Sequence, residues 1–308
     1  MVGPRRDRLG RGDRRYLAMT AYRTPDERFA GLPDWTYAPN YVEQDGLRMH
    51  YVDEGGGDPI LLLHGEPTWG FLYRKMIPRL SEVGRVIAPD YYGFGRSDKP
   101  TDRGWYSYDR HYGSICELCD QLGLTGMTIV VQDWGGPIGL RYAVENPERV
   151  ARLAILNTGV GAGAAPSEEW LRFREVMRSV DLDIVPSRLV QSGCVAELPA
   201  DVAAAYDAPF PTPESRTGVV MFPELVPVEL ENPSAVKMNE VRDALRRWDK
   251  PALVLFSDSD RIFSTRDAER MAERIPGAGP AETIEGAGHF LQEEKGELVA
   301  ERIAQWLG

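Results

Sequence analysis

Apolar positions in this chain gather into short continuous runs more often than they alternate. Ile60-Leu61-Leu62-Leu63, Val86-Ile87-Ala88, Ile129-Val130-Val131, Leu153-Ala154-Ile155-Leu156 and Ala252-Leu253-Val254-Leu255-Phe256 each stop at polar or turn-forming residues. Strands apolar on both faces belong inside a parallel sheet covered by helices. A looser alternation over Leu47 to Val52 and a short run near Ala281 to Ile284 read as further strands. Between the runs, helical spacing recurs at about Phe71 to Leu80, Tyr108 to Leu122, from near Gly136 to Asn146, and Glu297 to Leu307. Strands alternating with helices predict an α/β fold with a mainly parallel sheet.

The pattern changes after Asn157. From Gly159 to Pro233 there is no sheet-like run, only short helical stretches (Trp170 to Val180, Ala200 to Tyr206) among many prolines. This predicts a helical cap over residues 159–233, inserted into a core built from 19–158 and 234–308. Residues 1–18, rich in Arg, Gly and Asp, cannot bury apolar surface and read as a disordered tail. No apolar stretch follows these arginines, so a secretory signal is not expected. Met19 is an alternative start to Met1.

Composition narrows the function classes. At 308 residues, the chain has room for one α/β core with an inserted cap. A net charge of -11 argues against nucleic acid and against an anionic membrane surface. No run approaches the ~18 apolar residues of a membrane span. Cys116, Cys119 and Cys194 are too few and too irregular for a disulfide framework. The first two form a C-x-x-C within a helical pattern, with no second pair to complete a metal site. They read as reduced thiols of a cytoplasmic protein, a monomer or weak homo-oligomer.

The candidate chemistry centres on Val131-Gln132-Asp133-Trp134-Gly135-Gly136. An apolar strand, a sharp turn of small residues and a helix make the nucleophile turn of α/β-hydrolases. Asp133 stands where a Ser is usual. A carboxylate nucleophile suits a saturated carbon with a good leaving group, because the ester it forms on itself is again hydrolysable. A competing reading makes Asp133 the N-cap of the helix near Gly136.

Opening such an ester needs water and a base. Of His50, His64, His111 and His289, the last follows the final strand, where the base of this fold lies in the order nucleophile, acid, histidine. His64 reads as a brace for the Gly65 loop. A carboxylate must orient the imidazole. Asn157 cannot hold the charge, so the acid is Asp260 or Asp258, and strand-end spacing favours Asp260. The backbone N–H groups of Trp134 and Glu66 are the expected oxyanion donors. The Glu66 side chain is also a candidate holder of the attacking water.

Taken together, His64-Gly65-Glu66-Pro67-Thr68-Trp69, Tyr73-Arg74-Lys75-Met76-Ile77-Pro78, Gly93-Phe94-Gly95-Arg96-Ser97-Asp98-Lys99-Pro100, the Asp133 turn, Tyr206-Asp207-Ala208-Pro209-Phe210-Pro211 and Gly288-His289-Phe290 resemble a haloalkane dehalogenase. The branch is the one with Glu after the His-Gly. The resemblance covers nearly everything after Tyr22. It implies an α/β-hydrolase fold and hydrolysis of small halogenated aliphatic substrates to alcohol, halide and proton, with no cofactor and no metal. Asp133 would be the nucleophile and His289 with Asp260 the base. The indole N–H of Trp134 would bind the halide ion, since it donates only.

The second halide donor departs from the pattern. The resembling branch has a Trp-Arg pair in the cap; this chain has Phe173-Arg174 there, and Phe lacks an N–H. Trp170, one helical turn earlier, is the expected substitute, with Phe173 lining the substrate site. An epoxide hydrolase is the main rival and needs two cap tyrosines as proton donors; this stretch holds one, Tyr206. Asp133 in place of the Ser weighs further against a serine-type esterase, and the presence of all three triad candidates weighs against a catalytically dead binding protein.

Overall fold

The computed structural model describes residues 20–161 and 168–308, leaving out the Glu169 side chain. The expected tail, Met19, and residues 162–167 of the expected cap lie outside the described residues. Ten strands are formed among those described: β1 (Ala21–Tyr22), β2 (Asn40–Gln44), β3 (Leu47–Gly55), β4 (Pro59–Leu63), β5 (Arg85–Pro89), β6 (Lys99–Pro100), β7 (Met127–Gln132), β8 (Val150–Leu156), β9 (Ala252–Ser257) and β10 (Glu282–Ile284). The helices are α1 (Ile77–Leu80), α2 (Tyr108–Gln121), α3 (Gly135–Glu145), α4 (Glu168–Val180), α5 (Pro186–Gly193), α6 (Ala200–Asp207), α7 (Thr217–Leu225), α8 (Pro233–Ala244), α9 (Thr265–Arg274) and α10 (Leu291–Leu307).

Eight strands form one sheet in the order β10-β9-β8-β7-β4-β5-β3-β2. The pairs from β10 to β5 are parallel, and β3 and β2 add an antiparallel edge. Every residue of β7 and β9 is buried, as continuous apolar strands require when helices cover both faces. Register aligns the strand ends: Leu63 pairs with Val131, and Val131 with Ile155. The loops after β4, β7 and β8 therefore emerge side by side at the carboxyl edge of the sheet, where ligands bind in folds of this kind. The two-residue strands β1 and β6 pair separately and tie the N-terminal segment to the Gly93–Pro100 loop.

Several elements differ from the sequence expectation. The helix expected over Phe71 to Leu80 is split into a 3-10 turn at Gly70–Tyr73 and the short α1. Pro78 lacks the N–H a continuous helix would donate to Arg74, and that carbonyl accepts from the Tyr37 hydroxyl instead. The last helix starts at Leu291 rather than Glu297 and crosses a kink at Lys295, whose φ of -134° is not helical. β1, β2, β6, α5, α7, α8 and α9 carry no signal recognised in the sequence. α7 is apolar nearly all round with Pro223 inside it, so it shows no amphipathic stripe to read.

A buried ionic knot joins three of these parts. Arg74, just after the 3-10 turn, donates to both oxygens of Glu293 in α10 at 2.6 Å, and the Tyr206 hydroxyl of α6 donates to Glu293 Oε2 at 2.6 Å. Burial would raise the Glu293 carboxyl, but the Arg74 guanidinium outweighs it and holds the group below the usual carboxylate range.

Candidate active site

β7 delivers its chain to the sheet edge and stops at Asp133, whose backbone is left-handed with φ of 48°. Such a conformation is strained for a residue with a Cβ and persists only where its surroundings hold it. Here they do. The Asp133 N–H donates to the Asn157 carbonyl at 3.1 Å, and its own carbonyl accepts from Gly136 N at 2.9 Å and Thr158 Oγ1 at 2.6 Å. The glycines follow from the crowding: a Cβ on Gly135 would strike the Leu63 carbonyl, and one on Gly65 would strike the Asp133 carboxylate. The reading of Asp133 as a helix cap does not hold. α3 starts at Gly135, Trp134 is its N-cap and offers no side-chain bond, and the Asp133 Oδ1 accepts the Glu66 N–H at 2.9 Å.

The loop after β10 brings His289 to the same edge. Its Nε2 lies 3.5 Å from Asp133 Oδ2, and its Nδ1 lies 2.9 Å from Asp260 Oδ2. Of the two carboxylates left open by spacing, Asp260 therefore faces the imidazole. Asp258 turns away and accepts from Gly286 N at 3.0 Å. Asn157 is a scaffold: its amide donates to Ser257 Oγ and to the carbonyls of Gly288 and His289, and its Oδ1 accepts the Ser257 N–H. That role has no sequence signature. Phe263 lies nearly parallel to the imidazole at 5.9 Å and Phe290 meets it edge-on at 4.8 Å. The His289 N–H donates to the Gly193 carbonyl at 2.7 Å, so the end of α5 also pins this loop.

Electrostatics at the constellation are set by burial against charge. Burial would lower the His289 pKa, yet Asp260 and Asp133 overcome it and push it up to about 10. Burial, helped by Asp133 and opposed by His289, holds the Glu66 carboxyl well above the usual range. Its Oε1 is buried with no partner among the described residues.

The other histidines have other places. His64 Nδ1 faces the Gly65 carbonyl at 2.9 Å, and its Nε2 accepts the Tyr91 N–H at 3.1 Å, which braces the loop. His50 pairs with Asp90 at 2.8 Å. His111 is buried among the rings of Tyr91, Trp105, Tyr106 and Phe222, and burial drives its pKa down to about 3.

Trp134 is buried, with its ring 5.4 Å from Phe222 at 75°. Phe222 also meets Phe94 at 4.7 Å, so α7 lays an apolar wall over the Asp133 turn. Phe222 escaped the sequence reading because nothing in the sequence shows how α7 packs. Trp170 and Phe173 sit on α4; Arg174 lies over the Trp170 ring at 4.8 Å, and Phe173 is half-buried against the core. Tyr206, the one tyrosine between Gly159 and Pro233, is committed to Glu293. A separate surface hollow of about 320 Å³, lined by Arg103, Met177, Arg178, Asp181, Val220, Met221 and Glu224, contains none of the constellation residues.

Comparison with known proteins places this geometry in a family. Residues 58–186 match the model of the alpha/beta hydrolase fold. A haloalkane dehalogenase of Psychrobacter cryohalolentis is 44% identical, covering 94% of this chain and 98% of that protein. One from Mycobacterium marinum is 42% identical, covering 94% and 100%. The tetrameric structure of a haloalkane dehalogenase from Paraglaciecola agarilytica superposes with a TM-score of 0.88 at 35% identity, covering 92% of this chain and 97% of that one. The enzyme of Agrobacterium tumefaciens gives 0.80 at 28% identity, covering 92% and 99%. The chain is a hydrolase on the α/β-hydrolase fold and belongs to the haloalkane dehalogenase family.

Proposed function

We propose that this enzyme hydrolyses small haloalkanes through a covalent ester on Asp133. A carboxylate oxygen of Asp133 attacks the halogen-bearing carbon; the C–O bond forms as the C–halogen bond breaks, and halide leaves with the bonding pair. Water then attacks the Asp133 carbonyl carbon while its proton passes to His289 Nε2. Asp260 orients the imidazole and stabilises its charge. The tetrahedral intermediate collapses by breaking the bond from the Asp133 carboxyl carbon to the alkoxy oxygen; the alkoxide takes the proton held on His289 and leaves as alcohol, and the acid left on Asp133 gives up one net proton to become a carboxylate again. No step calls for a metal or cofactor.

The observation that supports this reading is the placement of one imidazole between two carboxylates, 2.9 Å from Asp260 and 3.5 Å from Asp133. The Glu66 and Trp134 backbone N–H groups serve the oxyanion formed on Asp133. The Trp134 indole N–H receives the halide, with Trp170 as second donor and Phe173 at the substrate wall. Residues 159–233 act as the cap that excludes water and shapes the chamber.

The test is bromide release from 1,2-dibromoethane, with mass spectrometry of the His289→Gln protein after exposure to it. The expected result is steady turnover by the wild type and one bromoalkyl adduct on Asp133 in the variant. No release and no adduct would remove the reading. Styrene oxide serves as the counter-substrate; with Tyr206 bound to Glu293, no ring opening is expected.

A further inference from the structure

We propose that Gln132, the residue before Asp133, is a positioning residue that biases His289 toward its neutral form with the lone pair on Nε2, against the pull of two carboxylates. The inference rests on the reading of His289 as the base of ester hydrolysis. Gln132 closes β7 and is wholly buried. Its amide nitrogen lies 3.1 Å from His289 Nε2 and 3.2 Å from the His289 carbonyl oxygen. Its Oε1 is buried without a partner among the described residues.

The amide cannot turn over freely. Rotating it would set Oε1 against the His289 carbonyl, two acceptors in contact, so the N–H face is held toward the ring. With Nδ1–H donated to Asp260, the only partner Nε2 can offer that N–H is its lone pair. An imidazolium would oppose N–H to N–H. A donor that is satisfied only by the neutral form disfavours the charged one.

The other groups facing the ring act the opposite way. Asp260 meets Nδ1 and Asp133 faces Nε2. Glu66 lies within electrostatic reach, and Glu294 accepts from Gly288 N at 2.7 Å on the same loop. Phe263 and Phe290 contribute only apolar faces. A base drawn toward protonation by two carboxylates is idle near neutral pH. Alkylation removes the Asp133 charge, and Gln132 supplies a further bias toward the neutral imidazole when water must be deprotonated.

The two chemical steps separate this role from a structural one, because only ester hydrolysis uses the base. Rapid-quench kinetics with 1,2-dibromoethane would follow the bromide burst and the decay of the alkyl-enzyme between about pH 5 and 10. In Gln132→Met, the burst is expected within about threefold of wild type, while the acid limb of ester decay moves up by about one pH unit, a tenfold slowing on that limb. Gln132→Glu keeps the shape and offers a carboxylate that holds the imidazolium, so it should move the limb further. If the methionine variant fails to fold, the glutamate variant decides alone. A limb left at its wild-type position, or both phases slowed by one factor, overturns the proposal. Absence of any bromide release by the wild type, in burst or in steady state, would instead remove the function on which it rests.

Discussion

His289 Nε2 stands 3.5 Å from Asp133 Oδ2, beyond the range of a good hydrogen bond, while its Nδ1 is held at 2.9 Å by Asp260. The asymmetry matches the proposed chemistry. The imidazole is anchored from behind and leaves Asp133 free to attack, and the open side is where water would approach the ester.

Asp133→Asn removes the charge that attacks carbon while preserving the turn. Bromide release should fall by at least about 10³-fold, with the melting temperature near wild type. Activity kept within tenfold would point to another nucleophile, which peptide mapping of the alkylated protein would reveal.

Asp260→Asn leaves the imidazole without its charged partner. From the general behaviour of such triads, steady-state turnover should drop by about 10⁴-fold. The loss should lie in ester decay, so a stoichiometric bromide burst should persist. Burst amplitude is the measurement; its disappearance would assign Asp260 to the alkylation step.

Trp134→Phe and Trp170→Phe delete the indole donors proposed for the halide. Each hydrogen bond to an anion contributes about 1.5–3 kcal/mol, so bromide affinity should weaken by at least tenfold for Trp134. The Trp170 substitution should weaken it several-fold. Bromide quenching of intrinsic fluorescence reads both. An unchanged constant in Trp170→Phe would take that residue out of the site and leave α4 with a packing role.

Glu293→Gln breaks the buried knot with Arg74 and Tyr206. An uncompensated buried guanidinium costs about 3–5 kcal/mol. Urea unfolding should show a loss of that order, growing smaller in relative terms at low pH. The sign follows from the depressed Glu293 pKa: its stabilisation is present above the unfolded carboxyl pKa and is lost as pH falls through the folded value.

His289 has the opposite linkage. Its pKa is pushed up to about 10, so protonation favours the folded state. That contribution is full below the unfolded pKa of roughly 6.5 and vanishes as pH rises toward 10. Wild type should therefore lose more stability than His289→Gln between these limits; parallel profiles would show that His289 is not charged in the folded enzyme.

Much of the fold was legible because parallel strands buried on both faces leave continuous apolar runs; Ile60 to Leu63 and Ala252 to Phe256 lie within β4 and β9. The helices facing solvent on one side were legible from their periodicity, as in α2. Pro78 and the all-apolar α7 misled or escaped that reading, since one splits a helix and the other lacks a polar face.

By itself, the sequence determined the strand–turn–helix around Asp133, the chain order of the three candidate catalytic residues, and the glycines the turn needs. Backbone strain at such a turn acts within a few residues and a motif records it, although the crowding that requires Gly135 and Gly65 comes from Leu63 and Asp133 on neighbouring segments. Only the tertiary structure decided that Asp260 and not Asp258 meets His289, that Asn157 ties three loops together, that Gln132 reaches the ring, and that Phe222 covers Trp134. These depend on strand order and on the seating of α7, which arise from contacts between distant segments and leave no pattern in the order of residues.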